Sequence, residues 1–110
     1  MTTRNALGEF EHQVLIALLR LGGKGYSAPI VLELEARTER SVSPAAVFIA
    51  LRRLEERGYL RSSKREPKRG EGGRGRRTFE VTRSGLAKLD ESRRTFERLW
   101  RGVQSVAEGS

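Results

Sequence analysis

Three features of the sequence predict a mainly α fold, a winged helix-turn-helix domain carrying one long C-terminal helix. Apolar residues recur at helical spacing in three successive short segments between Leu7 and Arg57. Two strand-like stretches, Tyr59-Leu60-Arg61-Ser62-Ser63 and Thr78-Phe79-Glu80-Val81, then flank an insert rich in glycine and arginine. Leu86, Leu89, Arg93, Phe96, Trp100 and Val103 follow at 3-4-3-4-3 spacing, the narrow seam of a coiled coil.

The first helix is read from Leu7, Phe10, Val14, Leu18 and Leu21, ending at Gly22-Gly23. Leu15, Ile16 and Leu19 give it a second apolar face, and a helix apolar over most of its circumference needs cover on two sides. Ser27 is placed to cap a second helix, with Pro29 tolerated in its first turn and Ile30, Val31 and Leu34 turned inward. Ser43-Pro44 starts the third: serine accepts from the free amides, and proline is pre-set for the first helical position. That helix runs to about Arg57 and stops at Gly58. Val47, Ala50, Leu51 and Leu54 share its inner arc, while Ala45, Ile49, Arg52 and Glu56 lie opposite, flanked by Phe48 and Arg53.

Thr82 caps the last helix, read from Arg83 to about Val106. A helix of that length outreaches the core of so small a domain at 1.5 Å per residue, so it calls for another helix. The second face of the first helix calls for cover too. A symmetric homodimer meets both needs, with Leu15, Leu19, Leu89, Phe96, Trp100 and Val103 as the expected interface. Packing of the last helix within one domain is the alternative. The expected division is a DNA-binding domain over 7–82 and a dimerisation helix over 83–107.

The chain has 110 residues, 22 of them basic against 14 acidic, for a net charge of +8. Arg61 to Arg77 alone holds eight basic residues against Glu66 and Glu71, so +6 of the +8 sits in one hairpin. A local charge of that size favours a polyanionic partner, nucleic acid before others. There is no cysteine, which excludes disulfides and thiolate metal sites. The longest apolar run, Val14 to Leu19, is far below the ~20 residues that span a bilayer, and no signal peptide is evident. No membrane role is expected, and the protein is expected in the cytoplasm.

In a winged helix-turn-helix domain the third helix enters the major groove and the hairpin wing lies over neighbouring backbone. The expected groove contacts are Ser43, Pro44, Ala45, Phe48, Ile49, Arg52 and Arg53. Arg52 can donate bidentately to guanine, Ile49 and Ala45 can meet a thymine methyl, and Ser43 with the free amides can bind a phosphate. The wing contacts are Lys64, Arg65, Lys68, Arg69, Arg74, Arg76 and Arg77. Against this, Arg52 and Arg53 could be a solvated face paired with Glu55 and Glu56. Two other functions compete: RNA binding through the arginine-glycine segment, and a winged-helix protein-interaction module. The first leaves the capped third helix unexplained, the second the concentrated charge.

Phe48-Ile49-Ala50-Leu51-Arg52-Arg53-Leu54-Glu55-Glu56-Arg57-Gly58-Tyr59-Leu60 resembles the recognition-helix motif of the PadR family of bacterial transcriptional regulators. The opening helix with nearby Tyr26, and the wing closing in Phe79-Glu80-Val81-Thr82-Arg83-Ser84-Gly85, resemble the family in the same order, over about residues 7–100. The resemblance implies a winged-helix homodimer joined by its C-terminal helix, usually a repressor on double-stranded DNA, and so a bacterial, nucleoid-associated protein and a palindromic operator. The family typically has tyrosine where this chain has Phe48, and glycine where it has Ser27.

Gly70-Glu71-Gly72-Gly73-Arg74-Gly75 fits the dinucleotide fingerprint, but a basic run precedes it and a strand-like stretch follows, the wrong context for that site. His12 is the lone histidine, read as a bystander, and no His, Asp and Glu cluster has metal-ligand spacing. No catalysis, cofactor or metal is expected. Trp100 is read first as an interface anchor, and second as half of an aromatic slot for a small planar effector.

Overall fold

A computed structural model describes residues 6–65 and 76–103, with Arg65 described by its backbone alone. The wing-tip residues Lys68, Arg69 and Arg74, the glycine-rich match over 70–75 and the segment beyond Val103 lie outside the described residues.

Helix α1 spans Glu9–Arg20, two residues shorter at its start than the spacing suggested. Gly8 stands in extended backbone ahead of it, and its amide donates to Glu11 Oε1 at 3.2 Å. This is the reach-back half of a capping box. Gly22 and Gly23, at φ 98° and 87°, turn the chain out of α1 in a conformation open to glycine. They lead into β1 (Lys24–Gly25), α2 (Ser27–Thr38), α3 (Pro44–Glu56), β2 (Leu60–Arg65), β3 (Arg76–Val81) and α4 (Arg83–Trp100).

The sheet has the order β1-β3-β2, antiparallel throughout. Strands β2 and β3 pair from Leu60↔Val81 out to Arg65↔Arg76, which makes the hairpin. The short β1, absent from the sequence reading, adds Lys24↔Glu80 and Gly25↔Phe79. Two residues are too few to show a period.

One core joins the elements. Val14, Leu15, Ala17 and Leu18 of α1 meet Ile30, Val31 and Leu34 of α2 and Val47, Ala50, Leu51 and Leu54 of α3. Leu60, Phe79 and Leu89 close it from the sheet and α4. Full burial of each large apolar side chain contributes about 1.5–3 kcal/mol, so this cluster holds α3 to the domain.

Four expectations change. Ser27 is the first residue of α2 rather than its cap; Tyr26 holds the cap position, without a capping bond from its side chain to the helix amides. Leu15 and Leu89, expected at the dimer interface, are 0% and 7% exposed because the protomer's own core already covers them. Val103 is off the seam as well, because α4 ends at Trp100: Arg101 leaves helical backbone and Gly102 follows at φ 81°. Val103 then donates back to the Trp100 carbonyl at 2.8 Å.

Candidate nucleic-acid interface

Ser43 Oγ accepts from the Ala46 amide at 3.2 Å and Pro44 opens α3, so this helix starts where its cap dictates. Its 3.6-residue period then sorts the side chains. Val47, Ala50, Leu51 and Leu54 are buried, while Ala45, Ile49, Arg52, Arg53 and Glu56 are exposed. Ile49 is 51% exposed, a bare branched side chain beside the exposed arginines of the same helix. Phe48 is 42% exposed and stands edge-on to the core ring of Phe79, at 6.2 Å and 79°. It braces the face of α3 as well as forming part of it.

The hairpin lies beside α3 and carries its charge in an unusual arrangement. The register sets Lys64 opposite Arg77 and Arg65 opposite Arg76. Like charges directly opposite on a sheet repel, and a polyanion laid along the hairpin removes that cost. Two of these cations are also steered by neighbours. The Arg76 guanidinium sits 5.2 Å from the Tyr26 ring centroid, and Arg77 Nη1 donates to Ser62 Oγ at 2.9 Å. Nearer the base of the wing, Arg61 donates to Glu80 Oε1 at 3.1 Å, and this hydrogen bond and charge hold the Glu80 carboxyl below its usual range.

Glu55 links the two surfaces. Its Oε1 lies 3.4 Å from Arg52 Nη1, and its Oε2 accepts a short hydrogen bond from Ser62 Oγ. The Arg52–Glu55 pair was legible from helical spacing; the tie to Ser62 and Arg77 was not, since it crosses from helix to sheet. Arg53 makes no ion pair among the described residues.

A second surface involves neither α3 nor the hairpin: α1 and α4 form an open apolar groove of about 520 Å³, lined by His12, Ile16, Leu19, Leu86, Phe96 and Trp100. Of the expected interface, Leu19, Phe96 and Trp100 are thus on this surface, 38%, 53% and 56% exposed. Ile16 and Leu86 belong to it too, unnamed in the expected interface although both lay in apolar patterns. Among the described residues no group of His, Asp and Glu could hold a metal ion, and no helix is long and apolar enough to cross a membrane.

A capped, outward-facing third helix beside a cationic two-stranded hairpin defines a winged-helix DNA-binding domain. The profile of the transcriptional regulator PadR-like family matches residues 15–91, and the chain belongs to that family. It is accordingly a DNA-binding transcriptional regulator and not an enzyme. No curated protein sequence matches it.

Solved structures share the fold. A PadR-like transcription factor from Bacteroides fragilis superposes with TM-score 0.71 at 22% identity, over 91% of this chain and 89% of that one. A PadR family regulator from Eggerthella lenta DSM 2243 gives 0.65 at 24%, over 82% and 76%. Bordetella bronchiseptica BpsR, whose DNA binding is regulated by 6-hydroxynicotinic acid, gives 0.67 at 22%, over 98% and 74%.

Proposed function

We propose that the protein is a homodimeric repressor that reads a palindromic operator, with α3 in the major groove and the wing on the backbone or in the minor groove. Residues 7–82 bind DNA and residues 83–107 pair the subunits. Arg52 donates to guanine, Ile49 and Ala45 meet thymine methyl groups, and Ser43, Pro44, Phe48 and Arg53 frame them. Lys64, Arg65, Lys68, Arg69, Arg74, Arg76 and Arg77 neutralise phosphates. The carrying observation is the juxtaposition of an α3 face free of core duties with a hairpin whose cations oppose one another.

The pairing of subunits draws on the apolar groove, in which a second copy's α4 would cover Ile16, Leu19, Phe96 and Trp100. A small aromatic effector fits the same reading. Trp100, the last residue of α4, lines the groove, and the regulation of BpsR by 6-hydroxynicotinic acid supports a planar ligand here.

Selection of bound fragments from random duplex DNA tests the whole reading, and the expected result is a palindromic consensus. Arg52→Ala should cost roughly 1–3 kcal/mol on that consensus and little on random duplex. Neutralising Arg74 and Arg76 should weaken both alike and flatten the salt dependence, by about one unit of slope for each phosphate no longer neutralised. An Arg52→Ala variant that keeps full discrimination would place α3 outside the groove.

A further inference from the structure

We infer that Glu55 and Ser62 are positioning residues for sequence discrimination, holding the α3 guanidinium and the wing as one reading unit; this rests on the groove reading above. The geometry is a chain of four side chains. Arg52 Nη1 lies 3.4 Å from Glu55 Oε1, Ser62 Oγ donates to Glu55 Oε2, and Arg77 Nη1 donates to Ser62 Oγ at 2.9 Å. Ser62 has a single hydroxyl proton, which Glu55 takes, so its lone pairs are left to accept from Arg77. The donor direction is therefore fixed from both ends toward the carboxylate. Such a chain polarises cooperatively, and three of its members, Glu55, Ser62 and Arg77, are only partly exposed.

An isolated surface pair such as Arg52–Glu55 contributes little to stability. Its effect on reading is larger, because a free arginine can swing to whichever phosphate is nearest. Tied to Glu55, Arg52 keeps to the α3 face, and Glu55 in turn is fixed by the β2 hydroxyl. The Ser62–Glu55 hydrogen bond ties the hairpin to α3, and the same hydroxyl pins Arg77 across the two strands of the wing. A base-reading and a backbone-reading cation thus share one anchor.

The carboxylate also acts directly. In the major groove it can accept only from the exocyclic amines of cytosine and adenine, and phosphates repel it. Glu55 therefore weakens binding to any duplex, most where Arg52 finds no matching guanine. The native pair trades affinity for random DNA against discrimination.

The test uses the full chain carrying Glu55→Gln, Ser62→Ala or Ser62→Thr, with binding measured on the selected consensus and on random duplex of equal length. Glu55→Gln should tighten random-duplex binding roughly two- to fivefold and lower the consensus-to-random ratio about tenfold. Ser62→Ala should lower the ratio several-fold without tightening random binding, and Ser62→Thr, which keeps the hydroxyl, should restore it. A lowered Tm with equal weakening on both duplexes would mean a structural role only and overturns the inference. An unchanged ratio in Glu55→Gln and Ser62→Ala overturns it too, provided that Arg52→Ala loses discrimination. If Arg52→Ala also keeps it, the groove reading has failed and the inference falls with it.

Discussion

Gly85 shows how a single missing side chain can decide an interface. A Cβ built there would stand 2.2 Å from the Tyr59 carbonyl oxygen and 3.0 Å from Val81 Cγ1. Replacing an exposed helical glycine by alanine usually stabilises by about 1 kcal/mol. At Gly85 the obstacle is backbone, also held by the Thr82 amide donating to the same carbonyl at 3.1 Å, so it cannot move aside cheaply. We expect Gly85→Ala to destabilise by about 1–3 kcal/mol in urea unfolding, the usual range for overpacking. Legibility at this scale depends on how local the cause is. The exposed set Ala45, Ile49, Arg52 and Arg53 follows from helical period alone. The tie from Glu55 through Ser62 to Arg77 joins residues seven and fifteen positions apart, and it exists only once the strand register is set.

Elements were legible where a cap and a period agree. Ser43-Pro44 and Thr82 each mark a helix start, and in both the hydroxyl accepts from the amide three residues on. Ser27 had the same look but lacked the geometry, because the chain is already helical there and Tyr26 is the last extended residue. The end of α4 was misread since the seam pattern runs on through Val103, whereas Gly102 lets the chain turn out of the helix. The caps carry a measurable share of stability. Ser43→Ala leaves the Ala46 amide without its partner, and because this end of α3 is exposed, water makes up part of the loss. The expected cost is about 0.5–1 kcal/mol, the low end for a lost N-cap, read by chemical denaturation. A loss well above that would mean that Ser43 also holds another element.

At the scale of the molecule, the groove between α1 and α4 makes both stability and the proposed dimer depend on pH. His12 lies in this groove, its Nδ1 3.2 Å from Ser92 Oγ and its ring 6.5 Å from that of Phe96. Burial pushes the His12 pKa below its ordinary 6.5, although Asp90, Arg93 and Glu97 line the same groove and Glu9 the adjoining hollow. The folded protein thus binds the proton less tightly than the unfolded chain. Stability contributed by neutral His12 is complete above pH 6.5, declines as the pH falls toward the lowered native value, and levels off below it. Glu33, held down by Arg37 and then Arg20, and Asp90, held down chiefly by Arg93, act lower. Their ordinary values are 4.5 and 3.8, so the stability they contribute is lost only as pH falls further. Between about pH 6.5 and 4.5 the slope belongs to His12 rather than to these pairs. Covering the groove with a second α4 removes more water from the imidazole, so dimerisation should carry the same sign as folding. We expect sedimentation equilibrium to show dimers at micromolar concentration near pH 7.5 and weaker association near pH 5.5. His12→Gln, which keeps a polar group for Ser92 but cannot take up a proton, should flatten that difference. A variant whose association weakens as much as the native protein's would assign the effect to other groups.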